Sequence, residues 1–167
     1  MSAISRQHGR MATWKQFHDE APELATIVHA QFTATKHHVL ATLRADGSPR
    51  ISGTEVDFGG DHLTLGSMPE ARKAHDLQRD PRYALHSNPG DGSMTVPDVK
   101  ISGRAVEVVG PEFEAYRAAH TTDLPPGPFH LFRLGIDDVV LAGLNDARTG
   151  MEIRLWRPGL PVRTFTR

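Results

Sequence analysis

The chain contains no cysteine, which excludes disulfides, thiolate zinc sites, iron–sulfur clusters and a cysteine nucleophile. No apolar run approaches the ~18 residues of a membrane-spanning helix. The start, MSAISRQHGRMATWKQF, lacks the apolar stretch of roughly 7–15 residues that a secretory signal needs. A soluble cytoplasmic protein with no membrane partner is therefore expected. Charge of one sign is also missing: 19 Lys+Arg against 20 Asp+Glu leave a net charge of −1. Nucleic-acid binders carry a basic excess that displaces counterions from phosphates, so no nucleic-acid partner is expected. The sequence has no G-x-S-x-G elbow, P-loop, H-E-x-x-H or G-x-G-x-x-G. Gly90-Asp91-Gly92 has the start of a dinucleotide loop but no helix pattern after it. Ten histidines invite a metal reading. None, however, recurs at the i, i+4 spacing of a helix, and His37-His38 on a strand would face opposite ways. Hydrogen-bonded histidine and no metal is the expectation.

What is present fits one globular domain of 167 residues, with 38% hydrophobic and 23% charged residues. Glycine and proline together make about 16% of the chain against a usual ~12%, which favours many turns and short strands. Residues 1–12 read as a flexible leader, and 13–167 as the folded domain. Thr13 and Gln16 have capping-box spacing, Pro22 fits a first helical turn, and Leu24, Ile27, Val28 and Phe32 recur at helical intervals. Thr13–Ala34 is thus a broken amphipathic helix.

From His38 the period becomes that of a strand, and Asp46-Gly47 offers the positive φ of a tight hairpin. Pro49–Val56 and His62–Gly66 complete a three-stranded meander. Met68–Leu77 reads as a short helix, Tyr83–His86 as a fourth strand, and Asn88–Pro97 as a loop. Val99–Val109 is a fifth strand with Gly103 at a bend or bulge. Glu112–Ala119 is a helix and Thr121–Pro128 a loop. Phe129–Ile136, Val139–Leu144 and Met151–Trp156 are late strands. About seven strands and a few helices suggest a closed or partly closed antiparallel barrel, because closure removes exposed edges.

Two features carry chemistry. Arg72-Lys73 stand near a helix start, where free amides and the helix dipole favour an anion and two cations add charge-assisted donors. Taken alone, such a pair equally describes a solvated helix face. The strand Arg50–Glu55 is small and polar at Ser52, Gly53 and Thr54, which lets a flat ring approach the backbone. It equally suits a plain barrel strand.

At these residues the sequence resembles the split-barrel flavin-binding superfamily of pyridoxamine 5′-phosphate oxidase and the flavin/deazaflavin oxidoreductases. The segments VLATLRADGSPRISGTEV, LTLGSMPEARKAHDLQRDPRYAL, VKISGRAVEV and the late strands to LWRPG occur in the family's order, with His37–Val109 the best-covered stretch. The resemblance implies a mainly β fold, a split antiparallel barrel flanked by short helices. It further implies a homodimer with cofactors at the subunit interface, taking FMN or coenzyme F-420 and a small-molecule substrate. Arg50, Ile51, Ser52, Gly53 and Thr54 would run along the ring, Leu65 and Gly66 would flank it, and Arg72 and Lys73 would hold the phosphate. Asp98 stands near a glutamine of the oxidase proper. The ending WRPGLPVRTFTR lacks its terminal Arg-Leu-x-Pro motif, which argues against pyridoxamine phosphate as substrate. The PRISGTEV hairpin and WRPG ending look more like the actinobacterial deazaflavin/flavin reductases. The expected activity is hydride transfer to or from a small organic molecule, with Thr54, Glu55 and His86 the candidate acid–base groups. A non-catalytic flavin carrier and a haem-binding split barrel are the alternatives.

Overall fold

The computed structural model describes residues 11–90, 92–93, 95–120, 124 and 127–167. Among them the chain forms two leading helices, α1 (Trp14–Glu20) and α2 (Pro22–Thr33), then strands β1 (His38–Leu43), β2 (Pro49–Thr54) and β3 (Leu63–Ser67). Helix α3 (Arg72–Arg79), β4 (Arg82–His86), β5 (Asp98–Glu107) and α4 (Pro111–Ala119) follow. The long β6 (His130–Leu144), β7 (Met151–Trp156) and β8 (Arg163–Thr166) complete the order. Most of the leader and parts of the two expected loops lie outside the described residues. The leader's last residue, Ala12, is nevertheless buried and bridges Ile136.

Thr13 caps α1 by accepting the Gln16 amide at 3.0 Å. Only half of the expected capping box forms, since the Gln16 side chain turns to Glu20 instead. The two helices cover one end of the sheet through aromatic contacts, with Phe17 and Trp156 rings 4.7 Å apart.

All strand pairings are antiparallel and run in the order β2-β1-β4-β5-β6-β7-β8, with β3 also on β6. Turn chemistry explains the β1–β2 hairpin: Gly47 has φ +81, and Asp46 accepts the Ser48 amide at 2.9 Å. The expected meander does not form. β1 pairs β4 on its second edge, while β3 crosses to β6 with Leu63 opposite Leu134 and Ser67 opposite His130. Buried Leu63 and Leu65 thereby enter the shared core. A single bridge, Asp57 to Thr64, joins the chain after β2 to β3. Beyond it the two strands exchange no ladder bonds, which makes β2 an edge and splits the barrel there.

The two late strands expected over 129–144 are one continuous β6. It pairs β5 along its length, with β3 on the first part of its other edge and β7 on the last. Asp137 and Asp138 are polar enough to suggest a break, but both fall within the strand. The expected bulge is present, with the β5–β6 register shifting between Ser102 and Gly103. β8 has no buried residue and escaped the hydrophobic pattern.

Candidate functional site

The helix after β3 begins at Arg72, four residues later than the sequence pattern suggests. Glu70 takes a positive φ of 58, and Met68–Ala71 form the connection. Arg72 and Lys73 are thus the first two helical residues. The cap residue is Ala71, which has no side-chain acceptor, and the first turn contains no acid. Glu70 turns its carboxylate to His75 at 3.3 Å. The amides of Ala74 and His75 reach the Ala71 carbonyl, whereas those of Arg72 and Lys73 have no backbone acceptor among the described residues. The exposed Arg72 side chain likewise makes no hydrogen bond or ion pair to a described residue. At the end of β3, the buried Ser67 hydroxyl has no hydrogen-bond partner among the described residues. An uncapped helix start with free amides and an unpaired guanidinium is chemically fitted to an anion.

Helix α3 packs on β1 and β5 and reaches the edge of β2 through its side chains. Lys73 donates from Nζ to the Gly53 carbonyl oxygen at 2.9 Å and approaches the Thr54 hydroxyl at 3.4 Å. Burial pushes its pKa down, and Glu55 nearby pulls the other way. One turn further on, Asp76 is almost wholly buried and accepts from Arg50 Nε at 2.6 Å, Thr42 Oγ1 at 2.8 Å and an Arg79 terminal nitrogen at 3.0 Å. Burial alone would raise the Asp76 pKa. The donors from Arg50, Arg79 and Thr42 outweigh it and hold the carboxyl below the usual range.

Arg50, Gly53, Thr54 and Lys73 are therefore brought together. Ser52 is half-buried on the same side of β2 as Arg50, while Ile51 points to the opposite face and is 74% exposed. Because the Gly53 carbonyl turns outward to Lys73, the two-residue alternation of an antiparallel strand turns the Ile51 backbone groups to the same free edge. Gly66 is exposed, and a side-chain carbon on Gly53 or Gly66 would meet nothing within 4 Å. Leu65 is different: its side chain is fully buried in the core, leaving only its backbone to flank a ligand.

The acid–base candidates are all engaged. Thr54 donates to the Glu55 carbonyl at 3.2 Å, and Glu55 pairs with Lys36 at 3.5 Å and His37 at 3.3 Å. His86 sits two strands from Gly53, both opposite Val39, with its ring nitrogens facing the Ser87 carbonyl at 2.6 Å and Asp98 at 3.7 Å. Sequence reasoning missed Asp76, Thr42 and Ser67. The spacing of Asp76 from Lys73, one helical turn, was the available signal. No group of three or more metal-ligating side chains is assembled among the described residues.

The antiparallel barrel, split beside a cationic strand edge, defines the class. The family model for pyridoxamine 5′-phosphate oxidase matches residues 24–141, and the chain belongs to that family. No curated protein matches the sequence. Among solved structures, it is similar to a pyridoxamine 5′-phosphate oxidase-related, FMN-binding protein from Nostoc punctiforme PCC 73102. That likeness has TM-score 0.63 and 13% identity over 88% of this chain and 96% of the other. It is also similar to PhzG from Burkholderia lata 383, solved with tetrahydrophenazine-1-carboxylic acid, at TM-score 0.59 and 17% identity over 90% and 95% of the two chains. A haem-binding protein from Mycobacterium smegmatis aligns at TM-score 0.53 and 18% identity, covering 95% of this chain and 59% of that one. At these identities the likenesses establish the fold.

Proposed function

We propose that the protein is an oxidoreductase that holds FMN or coenzyme F-420 between β2 and the start of α3. The observation that carries this reading is Arg72, unpaired among the described residues, on an uncapped helix start beside Lys73 at the open edge of β2. Arg72, Lys73 and the free amides would hold the phosphate. Gly53 and Gly66 leave room for a flat ring, and the edge groups of Ile51 offer it a donor and an acceptor. When bound, such a ring supplies hydride transfer to or from a small organic substrate. The protein's part is to bind it, orient it and keep water from one face.

The second copy of a homodimer would supply the cover. β1, β2, β6, β7 and β8 turn Ala41, Ile51, Val140, Leu155 and Phe165 to the outer face of the sheet, where all are half-buried or exposed. That apolar face suits association of two chains. We place the protein in the cytoplasm. No helix among the described residues is long and apolar enough to cross a membrane.

A non-catalytic carrier is the second reading, favoured by the engagement of Thr54 and Glu55 in internal contacts. The haem alternative has less support, since His75 and His86 are both committed to neighbouring acceptors. Titration of the purified protein with FMN and with coenzyme F-420, followed by absorbance, tests the site. Binding of neither would overturn the reading. Turnover of reduced, bound cofactor with organic acceptors separates enzyme from carrier.

A further inference from the structure

We propose that Asp76 is a positioning residue, whose buried carboxylate grips Arg50 through Nε and sets the two terminal amino groups as fixed donors for the anionic ligand of the β2–α3 groove. The inference rests on the site reading above. Arg50 spends only its Nε–H on Asp76, at 2.6 Å; its terminal nitrogens meet no acceptor among the described residues. The side chain is 23% exposed and its terminal nitrogens are not among the buried polar atoms left without a partner, so they reach solvent beside β2.

A carboxylate beneath an anion site is at first sight misplaced, because it would repel the ligand. Here Arg50 and Arg79 neutralise it from two sides, and the Thr42 hydroxyl from β1 fixes a third direction. Arg79 is itself anchored, donating to the Leu43 carbonyl at 2.6 Å. Stability alone is a poor reason for this arrangement, since well-packed apolar residues often replace a buried ion pair without loss. Orientation is a better one. A free arginine must surrender many rotamers on binding, whereas one already held by Nε presents its planar fork before the ligand arrives. Lys73 and Asp76 share one face of α3, so the helix contributes one cation directly and orients another on the facing strand.

The test uses FMN as probe with wild type, Asp76→Asn, Arg50→Met, their double variant and Arg50→Lys. Asp76→Asn is expected to weaken FMN binding about tenfold, the weight of one charge-assisted hydrogen bond. The double variant should bind no more weakly than Arg50→Met alone, because Asp76 acts only through Arg50. Arg50→Lys keeps the charge but cannot be held by Nε while offering two further nitrogens, so it should lose about as much as Asp76→Asn. It also decides the matter if Asp76→Asn does not fold. Unchanged affinity in Asp76→Asn and Arg50→Lys, or an equal further loss when Asp76→Asn is added to Arg50→Met, overturns the proposal and leaves the site reading standing. A wild type that binds only coenzyme F-420 is taken through the same variants with that probe, and one that binds neither FMN nor coenzyme F-420 overturns the site reading instead. The Arg50 Nε–H resonance of the free protein then decides the positioning by itself. Protection from solvent exchange that is lost in Asp76→Asn supports the grip, and protection unchanged by the substitution refutes it.

Discussion

Lys73 donates to the Gly53 carbonyl oxygen at 2.9 Å, tying the helix that follows β3 to the edge of β2, a strand with which β3 forms no ladder. The contact links the two sides of the split and places a half-buried ammonium where an anionic ligand is proposed.

Loss of both helix-start cations should abolish this binding. Each charge-assisted contact is worth about 1.5–3 kcal/mol, or roughly ten- to a hundredfold in affinity. Arg72→Ala with Lys73→Ala is expected to remove measurable FMN binding, while the circular dichroism spectrum stays that of the wild type. Arg163→Ala with Arg167→Ala removes equal charge from the far end of the sheet and should change affinity little. Equal losses in the two pairs would show general electrostatic attraction.

The depressed Lys73 pKa gives that affinity a pH signature. An anion beside the ammonium raises its pKa, so binding takes up protons wherever free Lys73 is partly neutral. Affinity is therefore greatest below the free-protein value of Lys73 and falls as pH rises through it, at a lower pH than an ordinary lysine would give. Lys73→Arg should move the decline to higher pH. A calorimetric titration series from neutral to alkaline pH that is flat for wild type would contradict the placement of Lys73 at the anion.

Much of this arrangement was legible in the sequence, and the misses share a physical cause. The hairpin turn at Asp46-Gly47, the Gly103 irregularity, the small residues of β2 and the Arg72-Lys73 pair were read from local chemistry, which acts over a few residues. The partner of β3 was not. Hydrophobic alternation in Leu63–Ser67 specifies a strand and its buried face, yet contains nothing that selects β6 over β2. Arg72-Lys73 stood out as adjacent cations at a helix start, whereas Arg50 entered only through the family resemblance, as part of a strand along the ring. Asp76 did not, because a carboxylate in a polar helix looks solvated until the fold brings Arg50 and Thr42 to it.

Gly103 admits no side chain. A Cβ there would lie 1.9 Å from the Gly135 carbonyl oxygen, an atom that also accepts the buried Tyr83 hydroxyl at 3.1 Å. Gly103→Ala must push the central β5–β6 ladder apart and is expected to cost at least about 3 kcal/mol, the upper end of ordinary overpacking. Tyr83→Phe, which removes only the hydroxyl donor, should cost about 1 kcal/mol. Urea denaturation of both variants checks the order, and a milder loss in Gly103→Ala than in Tyr83→Phe would refute the steric account.

The proposed homodimer predicts twice the chain mass of 18.4 kDa by light scattering. Ile51→Glu puts a charge on the most exposed apolar side chain of the sheet's outer face and should shift the population towards single chains. A wild type at the single-chain mass throughout the micromolar range would rule the dimer out.

The sharing of β6 also orders events as the chain is made. Leu63 must wait for Leu134, which leaves the ribosome only after β4, β5 and α4 have been synthesised. Until then the Leu63–Ser67 segment can form no native ladder, and its apolar side chains remain exposed to other nascent chains. Production of the protein should accordingly be more sensitive to translation speed and chaperone supply between β3 and β6 than in its first hairpin, whose two strands meet within a few residues.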